Sequence, residues 1–244
     1  MKTDSPLAHI RIVLSHTTHP GNIGAAARAM KTMGLSRLVL VNPKHFPDPQ
    51  ATAMASGADD VLDRATVCDS LDQALQGTRF AIAMTARRRD ISHLAVDVRD
   101  AAVEMIREAA QDEVALVFGT EMSGLSNEDV LKCQRMAHID ANPEYSSLNL
   151  AAAVQVMTYE LRQAAMGGFK KEVERFDAAA FDDIEAFYAH LEERLITSGF
   201  LDPQQPKRLM ERLRRLFGRA RLEKEEVNIL RGILTAWERP KRRD

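Results

Sequence analysis

Three short polar stretches carry the side chains with chemistry to offer. The first is Ser15-His-Thr-Thr-His-Pro-Gly-Asn-Ile-Gly24, followed by Arg28. The spacing Asn22-x-Gly24-x-x-x-Arg28 sets a guanidinium about one and a half turns into a helix that opens here. A helix start with a guanidinium suits an anion or phosphate, and Gly24 permits close approach. An N-cap followed by a surface arginine accounts for the same spacing equally well. The second stretch is Phe118-Gly-Thr-Glu-Met-Ser-Gly-Leu125. Gly119 and Gly124 flank Glu121, so backbone groups can approach the edge of a flat ligand; a strand-to-helix loop with glycines is the plainer alternative. The third is Asn142-Pro-Glu-Tyr-Ser-Ser-Leu-Asn-Leu150. Pro143 rules out a continuing central strand, and Asn149 is a natural helix N-cap. Hydroxyls and unpaired N–H groups therefore gather at a helix start, where a small polar ligand can bind or a capped turn can simply close.

Each stretch must be held by a regular element. Apolar, β-branched runs predict strands at His9–Leu14, Arg37–Val41, Phe80–Met84, Val114–Phe118 and Met136–Ile139. Helical patterns follow: Ala25–Met33 stopped by Gly34, Ala51–Ala58, Leu71–Leu75, Val96–Ala110 and Leu150–Ala165. Ser126 and Asp129 form a capping box for a helix between the fourth and fifth of these strands. Strands alternating with helices imply a mostly parallel sheet covered on both faces. The three polar stretches then all lie at the carboxyl ends of strands, where ligands of such folds bind.

The remainder is helical. Gly167-Gly168 closes the α/β part, so the chain divides into residues 1–166, a linker at 167–180 and an all-α extension at 181–244. Residues 172–202 carry nine acidic and two basic side chains, and residues 203–221 one acidic and seven basic. Helices are expected at roughly 181–198, 207–217 and 223–238. In the first, Ile184, Phe187, Tyr188, Leu191 and Leu195 share a face. In the second, Leu209, Leu213 and Leu216 form a packing stripe, and Arg208, Arg212 and Arg215 an opposite one that can track phosphates. A solvated basic face is the alternative for that stripe.

The composition excludes several classes. Hydrophobic residues make up 45% and charged residues 28%, as in a globular protein in water. No apolar run has membrane-spanning length, and no signal-peptide core opens the chain. Cys68 and Cys133 match no metal spacing and read as reduced thiols in a cytoplasmic protein. His16 and His19 lack a third ligand nearby, so no metal is expected. Neither Gly-x-Gly-x-x-Gly nor a P-loop occurs, which disfavours a dehydrogenase or nucleotide-binding reading.

Taken together, Asn22…Arg28, Phe118-Gly-x-Glu-x-x-Gly-Leu125 and Ser147-Leu-Asn149 resemble the three motifs of the SPOUT superfamily of RNA methyltransferases, in its SpoU-type 2′-O-methylating branch. The likeness covers roughly residues 8–165. The string Pro143-Glu-Tyr-Ser-Ser-Leu-Asn-Leu-Ala151 looks closest to bacterial enzymes that methylate nucleotide 32 of the tRNA anticodon loop, on cytidine or uridine, and the tail resembles their C-terminal extension. The resemblance implies a deep C-terminal trefoil knot, which periodicity alone would never suggest. It implies S-adenosylmethionine held by Met84, Thr85, Ala86, Gly119, Ile139, Ser146, Ser147 and Leu148. It implies a homodimer in which Arg28 of one subunit faces the cofactor of the other, and the largely apolar helix Leu150–Ala165 suits burial in that contact. Arg28, Asn22, Glu121, Ser147 and Asn149 become the catalytic set. The arginine is the proposed general base in the family, but a guanidinium pKa above about 12 favours Arg28 staying charged and stabilising the forming alkoxide. Arg87, Arg88 and Arg89, after the Phe80–Met84 strand, would extend the RNA surface. Close relatives in the family usually carry Arg where this chain has Thr120. A non-catalytic RNA-binding protein on the same scaffold, or a different methylated site, is the competing expectation.

Overall fold

The computed structural model describes residues 5–86, 95–167 and 177–238. They form two compact units, Met1–Glu172 and Val173–Asp244.

The first unit is built on seven parallel strands: β1 (Ile10–Ser15), β2 (Arg37–Val41), β3 (Thr66–Cys68), β4 (Phe80–Met84), β5 (Ala95–Asp97), β6 (Val114–Phe118) and β7 (Arg135–His138). The order across the sheet is β3-β2-β1-β6-β4-β7-β5. All residues of β4 and β6 are buried, which is why these strands read as unbroken apolar runs. Two strands enter late: β6 is inserted between β1 and β4, and β7 between β4 and β5. The edge strands β3 and β5 have three residues each and escape sequence patterning for that reason.

The helices of this unit are α1 (Pro20–Met33), α2 (Pro49–Ala55), α3 (Asp59–Asp63), α4 (Leu71–Leu75), α5 (Val98–Ala109), α6 (Asn127–Leu131) and α7 (Leu150–Gly167). One face of the sheet, through Ile12, Leu14, Leu38, Leu40, Ile82 and Leu116, shares a core with Ile23 and Met30 of α1, Met105 of α5 and Val154, Met157 and Leu161 of α7. On the other face Val13, Val39, Ala81 and Val117 are buried, and α4 lies against β2 and β3. Several ends are set by local chemistry. Gly34 stops α1 in the left-handed region at φ 87°, Ser126 and Asp129 make both bonds of a capping box on α6, and Asp97 caps α5. The expected helix Val96–Ala110 thus begins two residues later, its first residues belonging to β5. Helix α1 begins earlier than expected, at Pro20, so Asn22 lies in its first turn. Gly24 is needed because a Cβ there would stand 1.9 Å from the Ala51 carbonyl oxygen of α2; the close approach it permits is helix on helix.

The second unit contains α8 (Phe181–Thr197), α9 (Leu209–Ala220) and α10 (Lys224–Glu238). Residues 177–179 belong to it rather than to a linker: Ala179 N–H donates to the Leu222 carbonyl (2.9 Å) and Lys224 N–H to that of Asp177 (3.0 Å). Phe187, Tyr188, Leu222, Val227 and Leu234 form its core. The packing stripe expected on α9 is displaced. Leu216 is 49% exposed and no α9 residue is fully buried. Phe217 instead meets Phe187 edge-on at 5.0 Å, and Arg214 makes a bidentate pair with Glu185 (2.6 and 2.8 Å) while lying 4.3 Å over the Tyr188 ring. An aromatic edge contact and a stacked, forked guanidinium outweigh one leucine, so the helix turns to present them. Burial pushes the Tyr188 phenol up, and its hydroxyl donates to the Arg214 carbonyl.

Candidate active site

The loops after β1, β4, β6 and β7 meet at the carboxyl end of the sheet. Around one cleft they set Met84, Thr85 and Ala86 from the end of β4, Gly119 after β6, Ile139 after β7, and Ser146, Ser147 and Leu148 ahead of α7. All eight residues assigned to the cofactor therefore line the same space. Phe118, Thr120, Glu121, Met122, Ser123, Gly124 and Leu125 complete one wall, and Leu150 and Ala153 of α7 close the floor.

The β6–α6 loop is folded tightly on itself. Thr120 and Gly124 exchange backbone hydrogen bonds of 3.2 and 3.0 Å, and the Thr120 hydroxyl contacts that of Ser123 at 2.8 Å. A Cβ at Gly119 would meet the Gly124 carbonyl carbon at 2.1 Å, so only glycine fits. Thr120 thus closes a turn within its own loop.

That fold aims Glu121 at the start of α1. Its carboxylate accepts from Thr18 N–H (3.1 Å), the Thr18 hydroxyl (2.9 Å), His19 N–H (3.1 Å) and Asn22 Nδ2 (3.0 Å). Asn22 Oδ1 in turn accepts from Asn149 Nδ2 at 3.0 Å. Asn149 Oδ1 caps α7, accepting from Ala151 N–H (2.9 Å) and Ala152 N–H (3.3 Å). A single relay, Glu121–Asn22–Asn149, ties the three motif loops together. Burial alone would raise the Glu121 pKa, but hydrogen bonds from Asn22 and from the N–H groups of Thr18 and His19 outweigh it and hold the carboxyl at about 2. The group is a fixed anion at the head of a helix, where the helix dipole also favours negative charge.

Of the five residues assigned to catalysis, Asn22, Glu121 and Asn149 are thus joined and Ser147 lines the cleft. Arg28 is apart: it is exposed on α1, does not line the cleft and has no side-chain partner among the described residues. Of the residues assigned to RNA, Arg208 precedes α9 and pairs with Glu211 at 2.8 Å, Arg212 is exposed and Arg215 is partly buried. Arg87, Arg88 and Arg89 lie outside the described residues. Sequence reasoning missed Thr18, which gives Glu121 two of its bonds; its place between β1 and Asn22 in a run of polar residues was the available signal.

The cleft mixes apolar walls with hydroxyls, backbone groups and one carboxylate held charged. That lining suits a flat heterocycle joined to a polar, cationic group. Among the described residues no His, Cys, Asp and Glu group is arranged to hold a metal, and no helix is long and apolar enough to cross a membrane.

Known proteins share this architecture. The SpoU rRNA Methylase family matches residues 9–159, and the TrmJ tRNA methyltransferase C-terminal domain matches residues 182–244. A tRNA (cytidine/uridine/adenosine-2′-O-)-methyltransferase TrmJ of Pseudomonas aeruginosa (strain UCBPP-PA14) is 52% identical over 240 residues, 94% of this chain and 93% of its own. A tRNA (cytidine/uridine-2′-O-)-methyltransferase TrmJ of Escherichia coli (strain K12) is 50% identical over 236 residues, 95% of this chain and 96% of its own. The crystal structure of TrmJ from Z. mobilis ZM4 superposes with a TM-score of 0.83 at 33% identity, covering 94% of this chain and 99% of that one. With one family spanning more than half of the residues and relatives at about half identity spanning nearly all of them, the chain belongs to the SpoU methylase family.

Proposed function

We propose that this protein transfers a methyl group from S-adenosylmethionine to the ribose 2′-hydroxyl of a nucleotide in the tRNA anticodon loop, at position 32, on cytidine or uridine. The observation that carries the reading is the Glu121–Asn22–Asn149 relay beside a cleft lined by all eight expected cofactor contacts. The deep knot of the family belongs to the same reading. It is supported by the late insertion of β6 and β7 and by the return of α7 onto α1 and α5. The names of the relatives support tRNA and the 2′-oxygen.

S-adenosylmethionine supplies a methyl group already activated for displacement, so the protein's task is placement. The loops after β4, β6 and β7 would hold the cofactor, with Glu121 as a permanent anion near its positive centre. Ser147 would orient the ribose from the cleft wall, while the relay fixes the loops against one another. Arg28, exposed and unpaired in its own protomer, would reach the cleft of a second copy, the enzyme acting as a homodimer. There its guanidinium would stabilise the alkoxide that forms as the hydroxyl proton leaves to solvent, and steady the neighbouring phosphate. The tail would hold tRNA through the basic side of α9, in the cytoplasm where tRNA is processed.

The test is methyl transfer from labelled S-adenosylmethionine to unmodified tRNA, with mass-spectrometric mapping of the product. A 2′-O-methyl group at position 32 is the expected result. Tight tRNA binding with no transfer would favour the non-catalytic reading.

A further inference from the structure

Among the described residues of the α/β unit, the free positive charge is unevenly placed. Arg11, Lys31, Arg37, Arg64, Arg79, Arg99, Arg107, Lys132 and Arg135 all make ion pairs, and Arg162 donates to the Met33 carbonyl. Among the described residues of this unit, Arg28 and Lys44 are the cationic side chains without a partner. Arg28 already has a place in the proposed reaction; Lys44 does not.

Lys44 sits on the β2–α2 loop next to the site. Its N–H donates to the Thr17 carbonyl at 3.0 Å, and His16 N–H donates to the Val41 carbonyl at 2.8 Å. The β2–α2 loop is thereby stitched to the β1–α1 loop, whose Thr18 and His19 hold Glu121 at the cleft wall. Both strands leave the sheet through a residue in the left-handed region, His16 at φ 55° and Asn42 at φ 43°, so both loops turn sharply at the carboxyl edge. Along this edge His16, His19, Lys44 and His45 are all exposed. The imidazoles of His19 and His45 have no partner among the described residues, and that of His16 contacts only the Ser15 hydroxyl. The nearby carboxylates are engaged elsewhere, Asp48 in capping α2 and Glu121 in the relay.

We propose that this edge, with Lys44 at its centre, is a contact for the phosphate backbone of the substrate RNA as it leaves the cleft on the β2 side. The inference rests on the reading of the protein as a tRNA methyltransferase and adds a surface to it. An ammonium free of any protein partner gives up no ion pair when it meets a phosphate, and imidazole N–H groups donate to phosphate oxygens. The edge carries no sequence information: it positions the strand and leaves base choice to the cleft.

The experiment is tRNA binding by anisotropy across a salt series, together with methyl transfer at saturating tRNA. Wild-type enzyme is compared with the double variant Lys44→Glu/His45→Ala and with Lys44→Arg. For the double variant the tRNA Kd should rise about fivefold or more near 0.15 M salt, and the slope of log K against log salt should shrink by about 1. Its kcat at saturating tRNA and its affinity for S-adenosylmethionine should stay unchanged, and Lys44→Arg should bind like wild type. An unchanged Kd and slope in the double variant, in a preparation whose wild type methylates tRNA, overturns the edge and leaves the functional reading standing. Lost cofactor affinity in the double variant also overturns it, by assigning the loop to support of the cleft. A wild type that neither binds nor methylates tRNA overturns both.

Discussion

The cleft and the C-terminal helices treat a carboxylate in opposite ways. Glu121 is met by two backbone N–H groups, a hydroxyl and a carboxamide, all neutral donors. Glu185 is met by the guanidinium of Arg214, which also covers Tyr188. Neutral donors fix an anion in place without cancelling it, so the cleft keeps a negative charge to present to a cationic ligand. The ion pair cancels its charge and spends the geometry on joining α8 to α9. On the proposed reading the first region acts on a small molecule, while the second joins helices that carry the basic side chains of α9. Substitutions in the first should therefore be read in turnover and cofactor affinity, and those in the second in tRNA affinity.

The sharpest test of that division is Arg28→Ala. Loss of a transition-state charge stabiliser should lower kcat by about 10²- to 10³-fold, with cofactor affinity retained, in single-turnover methyl transfer. Arg28→Lys with near-normal turnover would count against the role, because lysine lacks the planar fork. Mixing inactive Arg28→Ala subunits with subunits inactivated at Ser147 should restore part of the activity if the arginine is supplied across a dimer.

Next in size is Gly119→Ala. Its methyl group meets Gly124 backbone, so the β6–α6 loop must open. A stability loss of about 1–3 kcal/mol by urea titration and weaker S-adenosylmethionine binding by calorimetry are expected.

Glu121 gives a pH signature. Its folded-state pKa of about 2 lies below its ordinary 4.5. The unfolded chain binds the proton more readily, so the stability it contributes is complete above the ordinary value and is lost as pH falls from there towards the folded one. The urea midpoint of the wild type should fall more steeply between about pH 5 and pH 3 than that of Glu121→Gln. Parallel curves would show that the relay does not hold the charge.

In the tail, Arg214→Ala should remove the forked guanidinium from Glu185 and uncover the Tyr188 ring, whose hydroxyl keeps the backbone carbonyl of residue 214, and so loosen α9, weakening tRNA binding while the cofactor binds as before. The smallest expected effect is that of Arg212→Ala, an exposed cation: the salt slope of tRNA binding should shrink by about 1 with turnover at saturation intact. A tail variant that cut cofactor affinity would break the division between the two regions.

Much of this was legible along the chain. The inner strands, the caps at Gly34, Ser126 and Asn149 and the three polar loops follow from local patterns, because burial on both faces and unpaired helix ends leave marks within a few residues. β3 and β5 were illegible at three residues each. Helix α9 was half legible: its amphipathic character was plain, but which edge packs depended on Phe187 and Tyr188, which belong to another helix. Arg28 could be singled out along the chain, yet only the fold reveals that it stands apart from the cleft.

Sequence by itself determined the kinds of element, their ends and the residues that three loops would offer, since each depends on backbone periodicity and on neighbours a turn away. Tertiary structure alone decided that β6 and β7 are inserted between earlier strands, and hence that Glu121 meets Asn22 across 99 residues and Asn149 meets Asn22 across 127. Strand neighbours are chosen by how the whole chain closes around its core, and no local repeat records that choice.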